Sequence, residues 1–367
     1  MARLIRDEIA DLVRQGILNA QAAGELGAFE IPAVPVERPR VAAQGDYSTG
    51  ISMGLARFAK IKPIEAAQRI AAHLPSAGMI GKAEAVAPGY INFVLADAWL
   101  ARQVEEVLAQ GEAWGSVEMG HGARVQVEYV SANPTDELTI GSARNAAIGD
   151  TLASVLQAAG YAVEREYYIN DAGSKIRKLG RTVYARYAQA IHYDEPLPEE
   201  YYPGQSLIEM GRRIAEEHGE TFLNMPREQA LNELTRIAVG WLMDDIRREL
   251  ERMNVRMDTW FSEKSLYTSG LFDRVFKVLQ DKGLTVEKEG AVWFAAQELG
   301  EDKDAVLIRS GDVIPDPEDR PTYLASDVAY VWNKLVDRQF EKAIYVWGAD
   351  HHGDKPRVLA AARALGL

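Results

Sequence analysis

The stretch from Val127 to Gly173, VEYVSANPTDELTIGSARNAAIGDTLASVLQAAGYAVEREYYINDAG, constrains the fold more than any other part of the chain. It opens as a hydrophobic strand, breaks at Asn133-Pro134 and turns through Thr139-Ile140-Gly141-Ser142. A long amphipathic helix and a second strand follow. "VQVEYV" is the first strand and "YAVEREYYI" the second. Between them Ile148, Leu152, Val155, Leu156 and Ala159 predict one apolar stripe against the sheet, with Gly160 ending the helix. Such a unit is built to hold a nucleotide. Yet its turn carries no histidine, no P-loop lysine and no dinucleotide fingerprint.

The remaining segments divide around this unit. Residues 1–118 are expected to form a separate small α+β module. Leu4, Ile5, Ile9, Leu12 and Val13 have helical spacing, and "IPAVPVERPRVA" is Pro-rich and extended. "GDYSTGISMGLARFAK" opens a helix with Asp46 and Ser48 as caps, and "KPIEAAQRIAAHL" is a helix starting at Pro63. "AEAVAPGYINFVLA" reads as strand, turn and strand, and the glycine-rich "GEAWGSVEMGHGA" as a linker. Beyond the βαβ unit, residues from about 173 to 256 are mostly helical. "GAVWFAA", "DAVLIRS" and "KAIYVWGAD" are strands, "SDVAYVWNKLVD" a helix capped by Ser326 or Asp327, and "DKPRVLAAARAL" a helix capped by Asp354. Alternating strands and helices predict a parallel, doubly wound sheet.

The totals bound the chemistry. A chain of 367 residues is long enough for two or three cored domains. It has no cysteine, which excludes disulfides and thiolate metal sites and suits a reducing cytoplasm. No apolar run approaches the ~18 residues of a membrane span, and the charged N-terminal pattern is a folded helix rather than a signal peptide. The net charge of −13 counts against nucleic-acid binding, but such binding depends on one surface rather than on the total.

Sheets of this type bind ligands at the carboxyl ends of their strands, so the loops after Val130, Ile169 and Trp347 matter most. The first leads into a helix N-terminus, an anion site where Gly141 allows close backbone approach and the Thr139 and Ser142 hydroxyls can donate to phosphate. Alternatively Gly141 only lets helix and strand pack, and Ser142 is a cap. Glu128 lies inside an apolar strand, where a carboxylate is costly unless paired, and a cationic ligand would offset that cost. For Asp327 a capping role competes. Asp350, His351 and His352 in "GADHHGD" suggest a metal, but such a site needs further ligands, and His73, His121, His192 and His218 lie in unrelated contexts. Lys175, Arg177, Lys178, Arg181 and Arg186 share one helix, as a contact to a phosphate backbone or a solvated face.

These residues together resemble arginyl-tRNA synthetase, a class I aminoacyl-tRNA synthetase. "VEYVSANPT", the turn and "REYYINDAG" carry the resemblance, with "GDYSTGISMGLA", "APGYINFVL", "WFSEKSLY", "KDAVLIRS", "PTYLASDVAYVWNKL" and "VWGADHHG" in order across the chain. It implies an N-terminal tRNA-contacting module over 1–118. It also implies a Rossmann-like catalytic domain over 119–367, interrupted by a mostly helical insertion at about 190–256. The arginine pocket would fall on Glu128, Ser131, Asn133, Tyr323 and Asp327, with Glu128 and Asp327 pairing with the guanidinium fork. ATP would meet Pro134, Thr139, Gly141, Ser142, Gly348, Asp350, His351 and His352, with Thr139, Gly141 and Ser142 at the reacting phosphates. Lys175, Lys178 and Arg181 would touch tRNA. The resemblance implies arginine, ATP with Mg²⁺ and arginine tRNA as partners, no protein-held metal, no membrane, and a cytoplasmic monomer. Two departures stand out. The family has histidines where this chain has Thr139 and Ser142. It also continues into a lysine-bearing loop and an anticodon-binding domain, so the chain matches a truncated enzyme. The alternative is a repurposed relative that binds arginine or nucleotide without catalysis.

Overall fold

The computed structural model describes residues 4–299, 303–311, 321–348 and 355–367. The chain separates into two compact units. Met1–Met119 with Ala158–Gly160 form one, and Gly120–Gln157 with Tyr161–Leu367 the other. Among the described residues no helix is long and apolar enough to cross a membrane.

In the first unit α1 (Ile5–Ala22) buries Ile9, Val13, Ile17 and Ala20, four- and three-residue steps along one face. β1 (Tyr47–Thr49), α2 (Ile51–Ala59), α3 (Pro63–Ala72), β2 (Ile80–Val86), β3 (Tyr90–Leu95) and α4 (Asp97–Gln110) follow. The strands form an antiparallel sheet in the order β1-β3-β2, with β2 and β3 joined as the Pro88-Gly89 turn predicts. Ile91, Phe93, Leu55 and Ile70 close the core over α1. The expected caps of α2 are not caps. Ser48 lies within β1, and Asp46 instead accepts the Leu95 amide at 2.8 Å, pinning the entry of β1 to β3.

The second unit is built on a four-stranded parallel sheet in the order β10-β4-β5-β6, comprising β4 (Arg124–Glu128), β5 (Ala162–Ile169), β6 (Thr259–Ser262) and β10 (Lys342–Tyr345). Between β4 and β5 runs α5 (Ile140–Ala158), and between β5 and β6 run α6 (Ser174–Ala190), α7 (Gln205–His218) and α8 (Arg227–Arg252). Helices thus fill the stretch between β5 and β6 from Ser174 to Arg252. After β6 come α9 (Glu263–Thr268), α10 (Leu271–Asp281), β7 (Thr285–Lys288), β8 (Ala291–Phe294) and β9 (Ala305–Ile308). α11 (Tyr323–Trp332) runs into a π-helical turn (Asn333–Asp337), and α12 (Lys355–Leu365) closes the chain. Strands β7, β8 and β9 form their own antiparallel sheet, not part of the parallel one, because the short link between β7 and β8 has no room for a crossover.

The apolar stripe expected on α5 is out of phase. Ala146, Gly149 and Ala153 are buried, while Ile148 and Val155 are 54% and 60% exposed. Gly149 explains the shift: a Cβ there would sit 2.2 Å from Cγ of Tyr129, so small residues let the helix press against the aromatic ring. Leu152 and Leu156 flank this contact. Gly160, at φ +86°, does end the turn after the helix.

The two faces of the parallel sheet differ in chemistry. Val125, Val127, Tyr129, Tyr167 and Ile169 pack with α5 and with Met243, Ile246 and Leu250 of α8 in an apolar cluster. The opposite face, by strand alternation, carries Gln126 and Glu128 of β4 beside Glu164 and Glu166 of β5. Buried carboxylates require partners. These come from α11, its π-turn and the residue after it: Tyr330 donates to Glu166, Lys334 reaches Glu128, and Arg338 bridges Glu164 and Glu166.

Candidate active site

The carboxyl end of β4 opens into a loop whose backbone is bent sharply. Val130 and Ser131 have φ of +69° and +41°, a region costly for a β-branched residue. Five contacts hold it there. Asn145 accepts the Val130 amide at 2.7 Å and donates to the Val346 carbonyl at 2.8 Å, joining the ends of β4 and β10. The Ser131 hydroxyl accepts the Tyr168 amide at 3.1 Å, Asn170 donates to the Ser131 carbonyl at 3.0 Å, and Tyr167 donates to the Ala132 carbonyl at 2.8 Å. The bend therefore gathers the ends of β4, β5 and β10.

Glu128, 5% exposed, stands at this junction. Its Oε2 accepts the Lys334 ammonium at 2.5 Å, and Ser131 Oγ lies 3.3 Å from Oε1. An internal lysine thus already offsets part of the cost of burial that the sequence reading left to a cationic ligand. The junction of β6 and α9, absent from the three places expected to matter, adds a second carboxylate. Glu263 is also 5% exposed, and its Oε2 accepts no hydrogen bond among the described residues. Burial, with nearby Asp171, pushes its pKa up to about 7, against hydrogen bonds from Ser326 and Tyr168 and the charge of Lys175. Asp171 itself accepts Ser262 Oγ at 2.6 Å and the Lys264 amide at 2.9 Å.

Asp327 lies in the second turn of α11. The helix starts at Tyr323 with Thr322 at its N-cap position, so neither Ser326 nor Asp327 caps it. The charges of Glu263, Asp327 and Glu128 all act on the buried Tyr168 hydroxyl, which with burial raises its pKa well above the ordinary value. The three carboxylates therefore share one neighbourhood, drawn from β4, α9 and α11.

The signature turn is the exposed start of α5. Thr139 Oγ1 accepts the Ser142 amide at 3.2 Å and lies 3.2 Å from Ser142 Oγ, so Thr139, rather than Ser142, is the cap. One hydroxyl proton is used between the two side chains and one is left to point outward. Gly141 is exposed, and a Cβ there would meet only Thr139 Oγ1, at 3.4 Å. Gly141 is therefore not the packing glycine. That role belongs to Gly149.

Of the other expected site residues, Asn133 and Gly348 are exposed and Pro134 is buried. Asp350, His351, His352 and the α12 cap Asp354 lie outside the described residues. On α6, Lys175 and Arg181 are exposed, whereas Lys178 pairs with Glu200 at 3.4 Å and lies over the Tyr202 ring. Sequence reasoning missed Lys334 and Glu263. The one is a lysine in an otherwise apolar helix pattern, the other a glutamate opening a six-residue helix directly after a strand of four residues.

A family model for the arginyl tRNA synthetase N terminal domain matches residues 2–95, and one for the catalytic domain of class I (R) tRNA synthetases matches residues 103–367. Curated relatives include an arginine–tRNA ligase of Bacillus subtilis, 42% identical over the full chain and 64% of the relative. Another, from Geobacillus kaustophilus, is 43% identical over 99% of the chain and 63% of the relative. The chain spans less than two thirds of the length of these proteins. The solved arginyl-tRNA synthetase of Thermus thermophilus superposes with a TM-score of 0.65 at 22% identity, over 99% of this chain and 63% of that one, and shows the same fold. With a doubly wound parallel sheet, a small α+β unit before it and both family models in register, the chain belongs to the class I arginyl-tRNA synthetase family.

Proposed function

We propose that this chain carries the amino-acid activation and tRNA-binding parts of an arginine–tRNA ligase. The arginine carboxylate oxygen attacks the α-phosphorus of ATP and pyrophosphate leaves. A 3′-terminal hydroxyl of arginine tRNA then attacks the adenylate carbonyl and AMP leaves. The observation that carries the reading is the juxtaposition of three carboxylates, Glu128, Glu263 and Asp327, at the carboxyl ends of a sheet whose first helix presents an exposed N-terminus. One half suits a cation, the other an anion.

In this reading the guanidinium meets Asp327 and the unpartnered oxygen of Glu263, with Ser131 and Asn133 around the ligand. The first amides of α5, the Thr139–Ser142 hydroxyl pair and the bare Gly141 hold the ATP phosphates, and Gly348 borders the nucleotide. Mg²⁺ would arrive with the phosphates and spread their charge. The protein's share is positioning and electrostatic stabilisation of an in-line displacement, which needs no side-chain nucleophile. Lys175, Lys178 and Arg181 offer cations to tRNA, and the enzyme works as a cytoplasmic monomer.

Isotope exchange between pyrophosphate and ATP, with arginine tRNA present, tests this. Exchange by the chain should depend on arginine and not respond to lysine. Exchange indifferent to arginine would sink the reading.

A further inference from the structure

Glu263 is held in place by a fourth carboxylate, Asp171. It opens α9, a helix of six residues that follows β6 without a break. So short a helix has little cohesion of its own. Ser262, at its N-cap position, makes no capping bond with its side chain, so the first amides need an acceptor from elsewhere. β5 and β6 run parallel and are paired as far as Ile169 and Ser262, so the segments that follow them leave the sheet side by side. Half-buried Asp171, two residues past the end of β5, spans the gap. Its Oδ2 accepts the Ser262 hydroxyl at 2.6 Å, and its Oδ1 accepts the Lys264 amide at 2.9 Å. Ser265 tightens the same turn by donating to the Ser262 carbonyl at 2.6 Å.

One carboxylate thus grips the residue before Glu263 and the residue after it, from 91 and 93 positions away. A side chain's direction follows from its own backbone, so fixing both neighbours fixes where the Glu263 carboxylate points. We infer that Asp171 is a positioning residue: by holding Ser262 and Lys264 it aims Glu263 at the guanidinium of bound arginine. This rests on the proposed reading of the crevice, in which Glu263 takes that group. The charged and titratable groups around Glu263 are Asp171 and Lys175 from the segment after β5, Tyr168 on β5, Tyr267 on α9 and Asp327 on α11. Among them Asp171 opposes the ionisation of Glu263 and Lys175 favours it.

The test is calorimetry of arginine binding to this chain and its variants as a function of pH. Asp171→Asn removes the charge and keeps the grip, since an amide oxygen accepts the Lys264 amide and an amide nitrogen donates to the Ser262 hydroxyl. Asp171→Ala removes both, so the difference between the two variants reads the grip alone. Above pH 7, Asp171→Ala should bind arginine about tenfold more weakly than Asp171→Asn. In Asp171→Asn the pH at which affinity levels off should fall below that of the wild type, because an anion opposing the ionisation of Glu263 is gone. In a Glu263→Gln background the difference between Ala and Asn at position 171 should vanish. Equal affinities for the two variants, an unmoved pH profile in Asp171→Asn, or a difference that persists without the Glu263 carboxylate would each overturn the inference. If Asp171→Ala does not fold by circular dichroism, Ser262→Ala carries the test. It releases one of the two bonds, should weaken arginine, and should cost nothing further in Glu263→Gln; a further loss there would overturn the role. A Glu263→Gln chain that binds arginine as tightly as the wild type would instead take Glu263 out of the pocket, and the duty given to Asp171 with it.

Discussion

At the scale of single residues, Glu263 makes the most distinctive demand on solution behaviour. Its folded pKa of about 7 lies above the ordinary 4.5, so the folded state binds a proton that the unfolded state has lost between these values. The stability it contributes is therefore fully present below about pH 4.5 and is lost as pH rises through about 7. A guanidinium selects the ionised form, so arginine binding below pH 7 should release a proton. Affinity should then climb close to tenfold per pH unit and level off above 7. Calorimetry in buffers of different ionisation enthalpy reads the proton directly. Glu263→Gln should abolish both the release and the slope, and a slope that survives in that variant would assign the proton to another group. Glu263 was not legible in the sequence, because "WFSEKSLY" has too few residues to announce a strand end. The Lys334–Glu128 pair was hidden for a different reason. Its members are 206 positions apart, and no local pattern links them. Glu128 itself was legible, since a carboxylate in "VQVEYV" stands out against its strand.

At the scale of elements, α5 separates two glycines that sequence alone could not tell apart. Gly149 lies against Tyr129 with no space for a methyl group, and Gly141 stands in the open. Gly149→Ala should destabilise the chain by about 1–3 kcal/mol or more through overpacking, measured by thermal unfolding. Gly141→Ala should leave stability intact or raise it by a few tenths to ~1 kcal/mol through helix propensity, while weakening ATP. A stable Gly149→Ala variant would show that helix and strand are not in close contact. The strand–turn–helix–strand order of this unit was readable because each change of period is local. The phase of its helix was not, because glycine and alanine carry no hydrophobic signal yet mark the face that packs. The antiparallel pairing of β7, β8 and β9 escaped for a similar reason: short apolar runs look alike in parallel and antiparallel sheets.

At the scale of the whole molecule, one sheet serves two purposes. Its apolar face supplies cohesion through α5 and α8, and its charged face, satisfied by Tyr330, Lys334 and Arg338, supports the acidic crevice above. Under the proposed function, the net charge of −13 favours a crevice that draws in a cationic amino acid and leaves the anionic phosphates to backbone amides. The central claim is that this crevice is built for a guanidinium. The most direct measurement is titration calorimetry of the chain with arginine and with lysine under one set of conditions, above pH 7 so that Glu263 is ionised. A site shaped for a planar fork leaves buried acceptors unpaired when offered a point charge, so arginine should bind and lysine should be weaker by roughly a thousandfold. Equal affinity for the two amino acids would contradict the account.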